Sequence, residues 1–259
     1  MQSYADFHQQ SLADPETFWA EQAKRIDWHT PPTQICDYSN PPFVKWFVGG
    51  TTNLCHNAVD RHAAKRPNDA ALIAVSTETN TEKTYTFAEL QREVERMAAV
   101  LQSFGVQQGD RVLIYMPMVA EAAFAMLACT RIGAIHSVVF GGFASGSLAT
   151  RIEDASPKVI VSADGGSRGG KSIPYKPLLD EAIKLSSHKP EAVLLVDRGL
   201  SPMNLVEGRD HLWAQLREKF IDAQVPCVWL ESSTPSYTLY TSGTTGKPKG
   251  VQRDTGGYA

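Results

Sequence analysis

Cysteine is scarce: the 259 residues include four, at positions 36, 55, 129 and 227, with no Cys-x-x-Cys pair and no dense framework. That excludes a small disulfide-stapled scaffold and fits a reducing compartment, so we expect free thiols and a cytoplasmic protein. Charge of one sign is not in excess either, with 25 Lys and Arg against 28 Asp and Glu and a net charge of -3. No bulk cationic field draws in nucleic acid or an anionic membrane, so any anion must be gripped by a local cluster. There is no lysine or arginine before Lys24 and no apolar run, so no secretory signal is expected there. One stretch of membrane-like hydropathy, Val112 to Thr130, is interrupted by Pro117 and Glu121 and reads as a strand followed by a helix rather than a membrane span. The histidines, at 8, 29, 56, 62, 136, 188 and 211, lack metal-ligand spacing. No built metal site is expected, and no Ser-His-Asp or Cys-His set is visible.

What is present is the composition of a structured, water-soluble protein, with 42% apolar and 20% charged residues. Residues 1–60 read as a lead-in to the rest. Asp14 and Pro15 predict a helix from Pro15 to Arg25, with the carboxylate as cap and the proline in the first turn. The proline pairs at 31–32 and 41–42 predict an extended segment that wraps a neighbouring surface, anchored by Trp19, Trp28, Phe43, Trp46 and Phe47.

From about Thr51 the pattern alternates. Ala71 to Ser76 and Lys83 to Thr86 predict a hairpin. Thr86-x-x-Glu89 is a capping box, and Phe87, Leu90, Val94, Met97, Leu101 and Phe104 recur at helical spacing until Gly105. Strands are predicted at Val112 to Met116, Ile135 to Val139, Val159 to Ser162 and Ala192 to Val196. Helices are predicted at Val119 to Ile132, Ser145 to Asp154, Leu178 to Leu185 and His211 to Phe220, with late strands at Val228 to Leu230 and Tyr237 to Tyr240. Short apolar strands alternating with helices imply an α/β fold, a mostly parallel sheet covered on both faces.

Two glycine-rich segments compete to bind phosphate. Gly165-Gly166-Ser167-Arg168-Gly169-Gly170-Lys171-Ser172 matches the Walker A pattern, and Ala192 to Asp197 mimics a Walker B strand. A true P-loop feeds directly into a helix, however, and here Pro174 and Pro177 follow. We expect Pro177 to fall inside the helix, at about 3 kcal/mol, and so disfavour a P-loop NTPase. The second segment is Tyr240-Thr241-Ser242-Gly243-Thr244-Thr245-Gly246-Lys247-Pro248-Lys249-Gly250. Its glycines let backbone amides turn toward an anion, its hydroxyls add donors, and its two lysines add charge. It is a candidate polyphosphate cradle.

That second run resembles the signature loop of the acyl-adenylate-forming superfamily. Glu16 to Ala23 and Trp46 to Asn53 resemble the N-terminal lead-in of the acetyl-CoA synthetase group, and Gly109 to Met118 and Val138 to Phe143 resemble its large domain. Val251 to Ala259 looks more like the propionate-CoA ligases of that group than its acetate-CoA ligases. The resemblance spans essentially the whole chain. It implies residues 1–60 as lead-in and residues 61–259 as the N-terminal part of the large, AMP-binding domain.

The resemblance further implies a reaction in two halves. A carboxylate attacks the α-phosphate of Mg-ATP to give an acyl-adenylate and pyrophosphate, and the CoA thiol then displaces AMP. Thr241, Ser242, Gly243, Thr244, Thr245, Gly246, Lys247 and Lys249 would hold the β and γ phosphates, with magnesium arriving on ATP. Arg168, Gly169, Gly170 and Lys171 would hold the phosphate-bearing end of CoA, with Phe140 and Gly141 beside its adenine. Read without the resemblance, the alternative for Arg168 to Lys171 is a solvated basic loop, and for Phe140 and Gly141 a strand-ending turn with a core Phe. The group's acyl pocket and catalytic lysine lie beyond the matched residues, so no catalytic residue is expected here, and the chain is expected to be a truncated ligase, inactive alone. Small-molecule substrates are the expected partners. A non-catalytic module binding CoA or nucleotide is the alternative of another class.

Overall fold

The computed structural model describes residues 3–241 and 248–259. Helices α1 (Tyr4–Ala13) and α2 (Pro15–Ala23) lead into strands β1 (Gln34–Asp37), β2 (Lys45–Val48) and β3 (Thr51–Thr52). A π-helical turn at His56–Asp60 runs into α3 (Arg61–Lys65), followed by β4 (Ala70–Ser76), β5 (Thr81–Thr86) and α4 (Phe87–Ser103). Next come β6 (Arg111–Met116), α5 (Ala120–Ile132), β7 (Ile135–Phe140), α6 (Ser145–Ala155) and β8 (Val159–Ala163). Then follow β9 (Gly165–Arg168), β10 (Lys171–Pro174), α7 (Tyr175–Leu185), β11 (Ala192–Val196), β12 (Asp210–Leu212) and α8 (Trp213–Lys219). The last elements are β13 (Leu230–Glu231), β14 (Pro235–Thr241), β15 (Lys249–Asp254) and α9 (Thr255–Tyr258).

The main sheet has seven strands in the order β12-β11-β8-β6-β7-β14-β15. Every neighbouring pair is parallel except β14 with β15. The mostly parallel α/β sheet read from the sequence is therefore the observed fold. Strands β8 and β11 are buried along their whole length, as a sheet covered on both faces requires. The β6-to-β7 crossover through α5 and the β7-to-β8 crossover through α6 run in opposite directions across the sheet. Right-handed crossovers then put the two helices on opposite faces, with α4 packed on α5 and α7 on α6. Among the described residues no helix is long and apolar enough to cross a membrane.

Local chemistry starts the helices where the sequence indicated. The Thr86 hydroxyl accepts from the Glu89 amide at 3.3 Å, and the Glu89 carboxylate accepts from the Thr86 amide at 2.8 Å, a complete capping box. Asp14 caps α2 by accepting from the Thr17 amide at 3.1 Å. Other expectations need correcting. The lead-in is not merely extended, since β1 and β2 pair as an antiparallel hairpin. Trp19, Trp46, Phe47 and Trp28 form a chain of tilted and edge-on ring contacts, but Phe43 is 74% exposed and anchors nothing. Helix α7 begins at Tyr175, not Leu178, so Pro177 sits in its first turn, where the missing N–H has no intrahelical partner to lose. The expected proline penalty does not arise.

Arg131, only 2% exposed, ties the lead-in to the sheet's helical cover. Its guanidinium donates to both Asp60 oxygens, at 2.8 and 2.9 Å, to Glu95 at 2.8 Å, and to the backbone carbonyl of Val225. Asn53 adds side-chain bonds to the Thr130 and Val228 carbonyls, at 2.8 and 2.7 Å. Cys55, Asp60 and Cys227 present ligand atoms within 4.8 Å of one another, but the Arg131 guanidinium already serves that cluster as its cation. All four cysteines are free thiols.

Burial alone would raise the Asp60 carboxyl, yet the Arg131 hydrogen bond and charge hold it below its ordinary value; on Glu95 burial wins and the shift is upward. The Asp60 contribution is therefore complete above the ordinary carboxylate pKa and is lost as pH falls through the depressed value. Replacing Arg131 with Met strands two partly buried carboxylates. Urea unfolding is expected to show a loss of about 3 to 5 kcal/mol at neutral pH, and a loss below about 1 kcal/mol would contradict this account.

Candidate functional site

Parallel strands share one C-terminal edge, and in open α/β sheets ligands bind in the crevice outside it. Here Met116, Phe140, Ala163 and Thr241 end β6, β7, β8 and β14 on that edge. The segments that follow them include both glycine-rich runs and the Phe140 turn. Strands β8 and β14 are three places apart, so the two glycine-rich segments leave the sheet roughly 14 Å from one another.

The Gly165–Pro174 segment is a hairpin and not a P-loop. Strands β9 and β10 pair antiparallel with Arg168 opposite Lys171. Gly169 and Gly170 form the two-residue turn with φ of 58° and 75°, a left-handed pair that few residues other than glycine adopt. With no helix N-terminus behind the glycines, the cradle a Walker lysine requires is missing. Arg168 and Lys171 are both exposed, and among the described residues neither takes part in an ion pair. Like charges directly across a hairpin repel, and a bound anion relieves that repulsion.

Sequence reasoning missed the groups that hold this hairpin. Asp164 is fully buried and accepts from the amides of Gly165 at 2.8 Å, Leu200 at 2.6 Å and Ser201 at 3.1 Å. Arg198 donates to the Gly165 carbonyl at 3.2 Å and to Ser76 at 3.0 Å, and pairs with Glu78 at 2.5 Å. A lone Asp ending an apolar strand just before two glycines was the available signal for the first; nothing local marked the second.

The Phe140 turn lies against the same hairpin. Phe140 is 60% exposed, so the core-Phe reading is wrong and its ring is free to meet a ligand. Gly142 has a φ of 112°, and a Cβ there would touch Ile173 of β10 at 3.8 Å. The Tyr115 hydroxyl donates to the Phe143 carbonyl at 3.2 Å and accepts from the Gly142 amide at 3.4 Å. Burial pushes this phenol up to about 12, which keeps its donor proton in place at physiological pH. The structure thus brings Phe140 and Gly141 to the hairpin carrying Arg168, Gly169, Gly170 and Lys171.

Of the second glycine-rich run, Ser242, Gly243, Thr244, Thr245, Gly246 and Lys247 lie outside the described residues. Its two ends are on view: Thr241 pairs with Lys249 across the β14–β15 hairpin, at the mouth of the loop. The stem is fixed by Tyr240, whose hydroxyl donates to Asp154 at 2.6 Å. Arg151 stacks over the rings of both Tyr240 and Phe143, at 5.6 and 4.5 Å, and so joins this stem to the Phe140 turn.

A hollow of about 550 Å³ between α5, β7 and β14 is a poor rival site. Its walls are mainly apolar, among them Leu54, Ala58, Met126 and Leu239, and its one cation, Arg61, is bound to Asp27 and Asn57. His136 sits there, driven down to about 4 by burial, and stacks on Tyr237.

A parallel α/β sheet with a cationic hairpin and the stem of a glycine-rich run on its C-terminal edge is an open α/β protein with a candidate ligand crevice at that edge. The AMP-binding enzyme family profile matches residues 59–259, and the acetyl-coenzyme A synthetase N-terminus profile matches residues 4–58. The chain belongs to the AMP-binding enzyme family. It is 64% identical over 257 residues to a propionate–CoA ligase of Salmonella typhimurium, covering 99% of this chain and 41% of that protein. An acetyl-coenzyme A synthetase of Streptomyces avermitilis is 46% identical over 254 residues, covering 98% of this chain and 39% of the relative. The solved structure of acetoacetyl-CoA synthetase from Streptomyces lividans superposes with a TM-score of 0.88 at 30% identity, covering 99% of this chain and 39% of that one. The chain thus spans about two fifths of the length of the relatives it matches.

Removing the Asp164 carboxylate orphans the buried Gly165 amide at the base of the hairpin and the partly buried amides of Leu200 and Ser201. Asp164→Ala is expected to lower stability by about 2 to 3 kcal/mol and to speed hydrogen exchange first at residues 165–174 and 197–201. Uniform acceleration across the sheet would contradict a local role.

Proposed function

We propose that this chain carries the pyrophosphate-leaving loop and the CoA-binding hairpin of an ATP-dependent acid–thiol ligase that activates propionate. One observation carries the reading: an exposed, like-charged Arg168–Lys171 pair stands on the same sheet edge as the stem of the loop from Thr241 to Lys249. The first suits a terminal phosphate, and the second suits a leaving polyphosphate.

In the first half-reaction a carboxylate oxygen bonds to the α-phosphorus of ATP and pyrophosphate departs. Hydroxyls, amides and lysines from Thr241 to Lys249 neutralise the charge gathering on the β and γ phosphates, which is stabilisation by preorganised donors. Magnesium enters with ATP as part of the substrate. In the second half-reaction the CoA sulfur bonds to the acyl carbon and AMP leaves. Arg168 and Lys171 grip the 3′-phosphate end of CoA, the glycine turn lets it approach the backbone, and Phe140 offers its ring to the adenine. Acetate-type members commonly carry Arg where Lys171 stands, so a planar fork is replaced here by a point charge and a weaker grip on CoA follows. The higher identity to a propionate–CoA ligase than to an acetyl-coenzyme A synthetase favours propionate over acetate. Soluble substrates of this kind fit a cytoplasmic setting.

The two loops separate by mutation of the natural gene product carrying this chain. Lys171→Ala is expected to spare propionate-dependent ATP–pyrophosphate exchange while weakening CoA use by about 1.5 to 3 kcal/mol. Lys247→Ala should slow exchange with less effect on apparent CoA affinity. Loss of exchange in Lys171→Ala with normal exchange in Lys247→Ala would reverse the assignment and revive the P-loop reading.

A further inference from the structure

Two glycines of the proposed CoA site are not explained by backbone conformation. Gly142, Gly169 and Gly170 have positive φ, but Gly141 and Gly166 do not. What they share is one neighbour. A Cβ at Gly166 would lie 2.5 Å from the Tyr175 hydroxyl oxygen, and a Cβ at Gly141 would overlap that same hydroxyl and the ring carbons beside it. The hydroxyl end of Tyr175 is therefore wedged between the Phe140 turn on one side and β9 on the other, and each segment needs glycine so that its backbone can rest against it.

Tyr175 is itself held on every side. It is 3% exposed, its amide donates to the Asp164 carbonyl at 2.9 Å, and its ring packs on Tyr115 with centroids 5.1 Å apart. Tyr115 in turn bonds Gly142 and Phe143. The two rings thus form a spacer between the Phe140 turn and β9, the strand that carries Arg168. A nucleotide whose base meets Phe140 and whose phosphate meets the cations needs that separation fixed, because a displacement near 1 Å weakens both contacts together.

We propose that Tyr175 is the positioning residue that sets the width of the CoA site, with Gly141 and Gly166 as the bearing surfaces it requires. This rests on the CoA reading of the hairpin. Four variants of the natural gene product test it, with the KM for CoA measured beside ATP–pyrophosphate exchange. Tyr175→Phe keeps the ring and loses only the hydroxyl at its tip, so exchange should hold within about twofold and the KM for CoA should rise less than in Tyr175→Leu. Tyr175→Leu shortens the spacer and Gly141→Ala drives a methyl into it. Each should raise the KM for CoA by about tenfold while exchange holds within about twofold. In the double variant Gly141→Ala, Tyr175→Leu the methyl occupies space the ring has left, so CoA use should recover at least about threefold over Gly141→Ala alone. A parallel fall of exchange and CoA use in the single variants, or a double variant equal to the product of the singles, would overturn the proposal and reduce Tyr175 to a packing residue. Lys171→Ala, run alongside, tells the two readings apart. A raised KM for CoA there with no change in Tyr175→Leu overturns the spacer alone, and an unchanged KM in Lys171→Ala overturns both.

Discussion

A parallel strand is followed by its parallel neighbour only after a crossover that returns the chain to the same starting edge, so the loops that leave such strands gather at the opposite edge. The sheet from β11 to β14 obeys this, and the rest of the molecule depends on it. Segments separated by up to about 120 residues in sequence, Pro117, Phe140–Gly142, Gly165–Pro174 and the stem at Thr241, emerge side by side. No one of them makes a site alone. The geometry also fixes their order, with the cationic hairpin over β8 and the stem of the second glycine-rich run over β14, and the Phe140 turn on β7 between them.

Cations in this chain divide by what surrounds them. Arg131 is buried and spread over Asp60 and Glu95, so its charge is used up in holding the lead-in to the sheet. Arg198 is spent on Glu78 and on the base of the hairpin. Arg168 and Lys171 face solvent opposite each other, an arrangement a purely structural hairpin would avoid. Arg151 lies between these extremes: burial pulls it below the ordinary guanidinium value, and it stacks on both Phe143 and Tyr240. It joins the Phe140 turn to the β14–β15 stem.

Sequence reading succeeded where the determinants are local. The Thr86–Glu89 box, the Asp14–Pro15 helix start and the buried strands at Val159 and Ala192 are each specified within a few residues. It failed where the partner is distant in sequence. Asp164 bonds amides 36 and 37 residues away, and Tyr175 meets Gly141 from another strand's turn, so no spacing rule marks either. Pro177 shows a third kind of failure. The residue was rightly seen as a helix problem, but whether proline hurts depends on where the first turn falls, and β10 hands over to α7 early enough to place it there. The P-loop reading therefore falls for a different reason, the pairing of β9 with β10.

The central claim is that the hairpin cations recognise the 3′-phosphate of CoA while Phe140 meets its adenine. The most direct measurement compares CoA with 3′-dephospho-CoA as thiol substrate in the natural gene product carrying this chain and in its Arg168→Ala, Lys171→Ala double variant. The account predicts that the parent prefers CoA by at least about tenfold in kcat/KM and that the variant loses most of that preference while using dephospho-CoA almost as well as the parent does. An equal preference for CoA in parent and variant would contradict it.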